Sequence, residues 1–154
     1  MGILNKIFKN KQQEKNEENQ QKQTELVTWI PLISLHQLEE IKEASTQKPV
    51  AIFKHSTRCG VSSMAIKRFV KSFESFENID AENTENNQKN TPQKNLKDFK
   101  VYYLDLISYR EISNEIATQF QVTHQSPQLL IIQKKVVIAH ASHNDIAQID
   151  LRNF

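Results

Sequence analysis

One cysteine occurs in the chain, Cys59, and its neighbours give it chemistry to do. It stands in the run Lys54-His55-Ser56-Thr57-Arg58-Cys59-Gly60-Val61-Ser62, where a polar loop gives way to a helical pattern. The thiolate, not the thiol, is the nucleophile, and a helix N-terminus or nearby cations favour it. Both conditions are legible here. The unpaired N–H groups of the helix start are expected to point at the sulfur, and Arg58 is adjacent, with His55 and Lys54 upstream. Gly60 leaves room for a bulky disulfide partner, and Ser62, one helical turn on, could donate its hydroxyl to the sulfur. Free cysteines are often inert, buried hydrophobes, but an Arg-Cys-Gly sequence at a strand-to-helix junction argues against that reading. With no second cysteine, Cys59 cannot close an internal disulfide, so a mixed disulfide on it must be resolved by another molecule.

The second feature is Ser126-Pro127, just ahead of an apolar run. Proline cannot continue a central ladder, and X-Pro bonds are where cis peptides occur. A shaped loop with a cis bond is one reading; a trans proline opening a strand is the other.

Several elements must position these residues. Val27, Trp29, Ile30 and Leu32 mark a first strand, and Ser34 with Gln37 makes a capping box for a helix through Leu35, Leu38 and Ile41. Val50-Ala51-Ile52-Phe53 is a nearly continuous apolar run, as a buried parallel strand requires. After Cys59, the residues Val61, Met64, Ala65, Phe69 and Phe73 mark the inner face of a helix. Val101 to Leu106 forms a third strand, and Ser108 with Glu111 makes a second capping box before Ile112, Ile116 and Phe120. Gln128 to Ile132 and Val136 to Ala139 read as a hairpin turning at Lys134-Lys135, and Ser142 with Asp145 opens a last helix through Ile146, Ile149 and Leu151. The order β-α-β-α-β-α-β-β-α gives an α/β fold with a mixed central sheet and helices on both faces. It is the element order of a thioredoxin-like fold with an extra N-terminal strand and helix. Residues 1–24 read as a disordered polar tail and residues 25–154 as the domain, interrupted at about 77–97 by an Asn/Gln-rich, low-complexity insertion.

Composition excludes other classes. The formal net charge of +2 is too small to argue for nucleic acid or an anionic membrane. The two glycines, Gly2 and Gly60, cannot build a Walker A loop or a dinucleotide fingerprint. One cysteine rules out a Cys-based zinc cluster, and no metal ligand set is expected. No stretch reaches the roughly 18 apolar residues of a membrane span, so a cytoplasmic protein without stable membrane insertion is expected. The apolar stripe from Ile3 to Phe8 leaves open a contact with a membrane surface or a partner.

Phe53-Lys54-His55-Ser56-Thr57-Arg58-Cys59-Gly60-Val61-Ser62-Ser63-Met64, with His124-Gln125-Ser126-Pro127-Gln128-Leu129-Leu130-Ile131 downstream, resembles the monothiol bacilliredoxins (YtxJ-like). These are thioredoxin relatives with Cys-x-x-Ser in place of Cys-x-x-Cys. The resemblance spans about residues 26–154 without the insertion. It implies that Cys59 is the redox thiol, that Ser62 holds the place of the absent resolving cysteine, and that Pro127 is the cis proline. His55, Thr57, Arg58, Gly60 and Ser126 then support the site or bind the small thiol. The family often has Pro where this chain has Gly60. The implied activity is thiol–disulfide exchange: removal of bacillithiol from S-bacillithiolated protein cysteines, with bacillithiol as co-substrate and no bound cofactor. Two other functions stay open: a thioredoxin-like binding or redox-sensor module, and iron–sulfur ligation of the monothiol-glutaredoxin kind, with a small thiol as coligand.

Overall fold

The computed structural model describes residues 27–82 and 99–154, with side chains described outside 72–98. The polar tail, its Ile3–Phe8 stripe and residues 83–97 of the expected insertion lie outside the described residues.

Among the described residues, five strands and three α-helices follow in the order β1 (Trp29–Pro31), α1 (His36–Ala44), β2 (Val50–His55), α2 (Gly60–Glu82), β3 (Lys100–Asp105), α3 (Arg110–Phe120), β4 (Gln128–Gln133) and β5 (Val136–Ser142). They form one mixed sheet in the order β1-β3-β2-β4-β5. β2 is central, parallel to β3 and antiparallel to β4. Its six residues are all buried, and their alternation divides the core in two. Val50 and Ile52 face one layer with Leu38 and Ile41 of α1 and Ile112, Ile116 and Phe120 of α3. Ala51 and Phe53 face the other, with Ala65, Phe69 and Val70 of α2 and Ile146 and Leu151 of the C-terminal segment. Trp29, Phe53 and Phe69 join that second layer through ring contacts of 5.3 to 5.9 Å between centroids. This is the α/β thioredoxin-like architecture that the element order predicts.

Local details depart from expectation. The first strand is confined to Trp29–Pro31; Val27 and Leu32 are buried but lie outside it. Neither capping box forms in full. Gln37 Oε1 accepts from the Ser34 N–H at 3.0 Å, but α1 starts after Leu35 with no side-chain cap. At α3 the Ser108 hydroxyl donates to Asp105 Oδ2 at 2.7 Å, and Tyr109 stands in the cap position without a side-chain bond. The expected last helix is not an α-helix but two 3₁₀ segments, His143–Gln148 and Leu151–Asn153. Ile149 between them is extended, and the Asp150 carboxylate caps the second segment by accepting from the Arg152 N–H. The apolar spacing of three and two residues (Ile146, Ile149, Leu151) suits such short turns, in which positions three apart align. In α2 the buried face runs through Ser62, Ala65 and Phe69; Val61 and Met64, expected on it, lie off that stripe and are 50% and 55% exposed. The helix continues to Glu82, six residues into the segment read as an insertion.

The β4–β5 turn is unusual in composition. Lys134 and Lys135 both have positive φ, 51° and 69°, a conformation that L-residues avoid and that Asn or Gly usually supplies. Ser45 at the end of α1 supports them: its C=O accepts from the Lys134 N–H at 2.8 Å and its Oγ from the Lys135 N–H at 2.9 Å. Further along the hairpin the register shifts at Ile131/Ile132, opposite Ala139 and Val137, which leaves Ile138 as an extra residue in β5.

Candidate active site

The loop after β2 is built by short hydrogen bonds that hold Cys59 at the helix start. The Cys59 N–H donates to the Ser56 C=O at 3.1 Å, and the Cys59 C=O accepts from the Ser63 N–H at 3.1 Å. Cys59 is therefore the residue capping α2, whose first helical residue is Gly60. Its side chain is partly exposed. The cap position places the Cys59 backbone at the positive, N-terminal end of the helix.

The other half of the site comes from β4. Lys54 pairs with Gln128 in antiparallel register, so one further step sets Pro127 opposite His55. The loop before β4 and the loop after β2 thus lie at the same end of the sheet. The Ser126–Pro127 peptide is cis.

Residues 30–151 match the monothiol bacilliredoxin BrxC family. The chain belongs to that family. In structure it is similar to a candidate oxidoreductase with a thioredoxin fold at 26% identity and a TM-score of 0.57, over 80% of this chain and 88% of the other. It is also similar to thioredoxin from Trypanosoma brucei brucei, at 15% identity and a TM-score of 0.51, over 82% of this chain and 86% of the other. A thiol redox role follows from membership of the family.

Within this bacilliredoxin the sequence-predicted residues are distributed as follows. Arg58 and Gly60 are exposed, and a Cβ built on Gly60 would meet nothing within 4 Å. Thr57 is exposed, and its hydroxyl donates to Asp105 Oδ1 at 3.3 Å, tying the cysteine loop to the end of β3. Ser62 is fully buried, and its Oγ accepts from the Ser56 N–H at 3.1 Å. The hydroxyl expected to serve the sulfur instead braces the loop that carries it. Ser126 Oγ is buried with no hydrogen-bond partner.

His55 and Lys54 separate to opposite sides of the strand end. His55, 6% exposed, stacks at a tilt on Tyr103 with ring centroids 5.6 Å apart, and its Nδ1 has no partner. Burial holds its pKa below the ordinary 6.5, against the opposing pull of the Asp105 charge and the Ser62 backbone, which leaves it neutral at neutral pH. Asp105 is itself held below its ordinary value; burial would raise it, but bonds from Ser108, the Ile107 N–H and Thr57 outweigh that. Lys54 was expected among the cations around the sulfur. Its ammonium instead lies 2.7 Å from His124 Nδ1 and 3.5 Å from the Ser113 C=O. Burial, with Arg110 adding repulsion, lowers the Lys54 pKa from 10.5 to about 8. Asp105, Ser113 and His124 were not singled out from the sequence. The available signal was Lys54 itself, a charged residue in an otherwise apolar central strand. Among the described residues no group of three metal-ligating side chains occurs, and no helix is long and apolar enough to cross a membrane.

Proposed function

We propose that this protein removes bacillithiol from S-bacillithiolated protein cysteines by thiol–disulfide exchange at Cys59. The observation that carries the reading is the lone, partly exposed cysteine at the cap of α2 in a chain of the monothiol bacilliredoxin family. The Cys59 thiolate attacks the bacillithiol sulfur of the mixed disulfide. A bond forms between Cys59 Sγ and that sulfur, the bond to the target protein breaks, and the target leaves as a thiolate that takes up a proton. A second bacillithiol thiolate then attacks the bacillithiol sulfur on Cys59, releasing bacillithiol disulfide and the Cys59 thiolate. Val61 and Met64, exposed within five residues of the thiol, offer an apolar surface to a protein target. His55, held neutral by burial and with no partner at Nδ1, makes no hydrogen bond to the sulfur; in this reading it supports the thiolate as a base only when the Cys59 loop moves toward it. Arg58 and the Ser126–Pro127 loop complete the surface that meets the small thiol and its carrier.

Intact mass after exposure to bacillithiol disulfide tests the reading. The wild type gains one bacillithiol and passes it on when free thiol is added; Cys59→Ser does neither. Removal of bacillithiol from a modified target by Cys59→Ser at the wild-type rate would sink the mechanism in favour of a binding module. For His55, the His55→Gln variant is expected to lose a few-fold in the rate of Cys59 alkylation near neutral pH; an unchanged rate removes His55 from the chemistry.

A further inference from the structure

Lys54, the last residue but one of the central strand, is fully buried. The ion pairs among the described residues all lie elsewhere, so no carboxylate among the described residues balances it. Burying a charge without a counter-ion is costly, and what Lys54 gains in return is a link to one loop. Its Nζ meets His124 Nδ1 at 2.7 Å, and the Ser113 Oγ meets the same nitrogen at 3.2 Å. His124 lies two residues before Ser126 and three before Pro127. Gln128 holds the loop from the other side: its Nε2 donates to the Thr123 C=O at 3.0 Å and its Oε1 accepts from the Gln125 N–H at 3.4 Å.

We propose that Lys54 is a positioning residue that clamps the Ser126–Pro127 loop beside the Cys59 loop through His124, and that protonation of His124 opens the clamp. The proposal rests on the thiol-exchange reading for its effect on turnover, but not for the clamp itself. An ammonium can only donate, so Nδ1 must be the unprotonated nitrogen of a neutral imidazole whose proton sits on Nε2. Once protonated, Nδ1 has no lone pair, and the imidazolium faces Lys54 of β2 and Arg110 of α3 with no acid between them. Burial first, then Lys54 and Arg110, hold the His124 pKa below 6.5, so the clamp is closed at neutral pH and opens in acid.

The test uses the full chain, a bacillithiol–peptide mixed disulfide as substrate, and four readouts between about pH 5 and pH 8. These are KM and kcat, the alkylation rate of Cys59, hydrogen exchange at the Gln125 amide, and the His124 imidazole resonances. In the wild type, His124 is expected as the Nε2–H tautomer, and KM and Gln125 exchange should rise together as it protonates. Lys54→Met and His124→Leu should raise KM at neutral pH by about ten-fold, the loss of one charge-assisted hydrogen bond. Both should leave kcat and the alkylation rate near wild type. His124→Asn, whose amide oxygen can accept from Lys54 but cannot titrate, should recover most of that loss and flatten the pH dependence. The proposal is overturned by a Lys54→Met protein with wild-type KM and Gln125 exchange, by an Nδ1–H tautomer at neutral pH, or by His124→Asn keeping the wild-type pH profile. If the wild type alkylates at Cys59 but turns over no substrate, the exchange reading has failed alone. The tautomer and the Gln125 amide then decide the clamp, and they do so in the wild type even if Lys54→Met does not fold.

Discussion

Lys54 and Gly60 make opposite demands on stability. With its pKa lowered from 10.5 to about 8, Lys54 is protonated in both states below about pH 8, where its burial counts in full against folding. Between about 8 and 10.5 the unfolded chain holds a proton that the folded chain has released, so stability rises with pH across that window, by about 3 kcal/mol at most. Tyr102 and Tyr103, raised above 10 chiefly by burial, take stability away again beyond that point. Lys54→Met is therefore expected to melt higher than wild type at neutral pH and to lose the rise, as thermal scans across pH 8 to 10 would reveal. A wild-type curve that is flat there would show that the amine is not held low. Gly60 needs neither a positive φ nor close approach, so Gly60→Ala should stabilise by about 0.4 to 1 kcal/mol in urea denaturation. The place of Cys59, partly exposed at the start of a helix, was legible because an Arg-Cys-Gly sequence follows directly on an apolar strand and precedes a helical pattern. The Lys54–His124 contact was not, because its members are 70 residues apart and meet only once β4 lies beside β2.

Among the elements, those with long, regular periodicity were legible and those fixed by single bonds were not. The apolar run of β2 and the inner stripe of α3, Ile112, Ile116 and Phe120, emerge in the structure as read. The two capping boxes failed because their serines found other work: Ser108 donates to Asp105, and only the Gln37 half of the first box forms. Nothing near Lys134–Lys135 in sequence announces that Ser45 underwrites their backbone. The double variant Lys134→Asn, Lys135→Gly should keep both N–H bonds to Ser45 while relieving two left-handed residues. A gain of about 1 kcal/mol in urea denaturation is expected, since the exposed Lys135–Glu43 pair that is lost counts for little. Ser45→Ala should cost about 1 kcal/mol through the Lys135 N–H; a neutral result would mean that the turn supports itself.

At the scale of the whole molecule, the alternation of strands and helices sufficed for the fold, since parallel pairing with two covered faces leaves few topologies. The match to the bacilliredoxin family begins at residue 30, and removal of residues 1–24 is accordingly expected to leave melting temperature and thiol exchange unchanged; a large loss of either would move the domain boundary. The register shift in the β4–β5 hairpin has a consequence for how the protein behaves in a crowd. β5 is the last strand of the sheet, and Val136 and Ile138 on it are 57% and 43% exposed. A straight, apolar outer strand invites a second chain to add itself, strand upon strand. The extra residue at Ile138 bends and twists the outer strand and breaks its regular row of donors and acceptors. A neighbouring molecule then finds apolar side chains but no continuous ladder to extend, which disfavours strand-upon-strand growth from this side of the sheet.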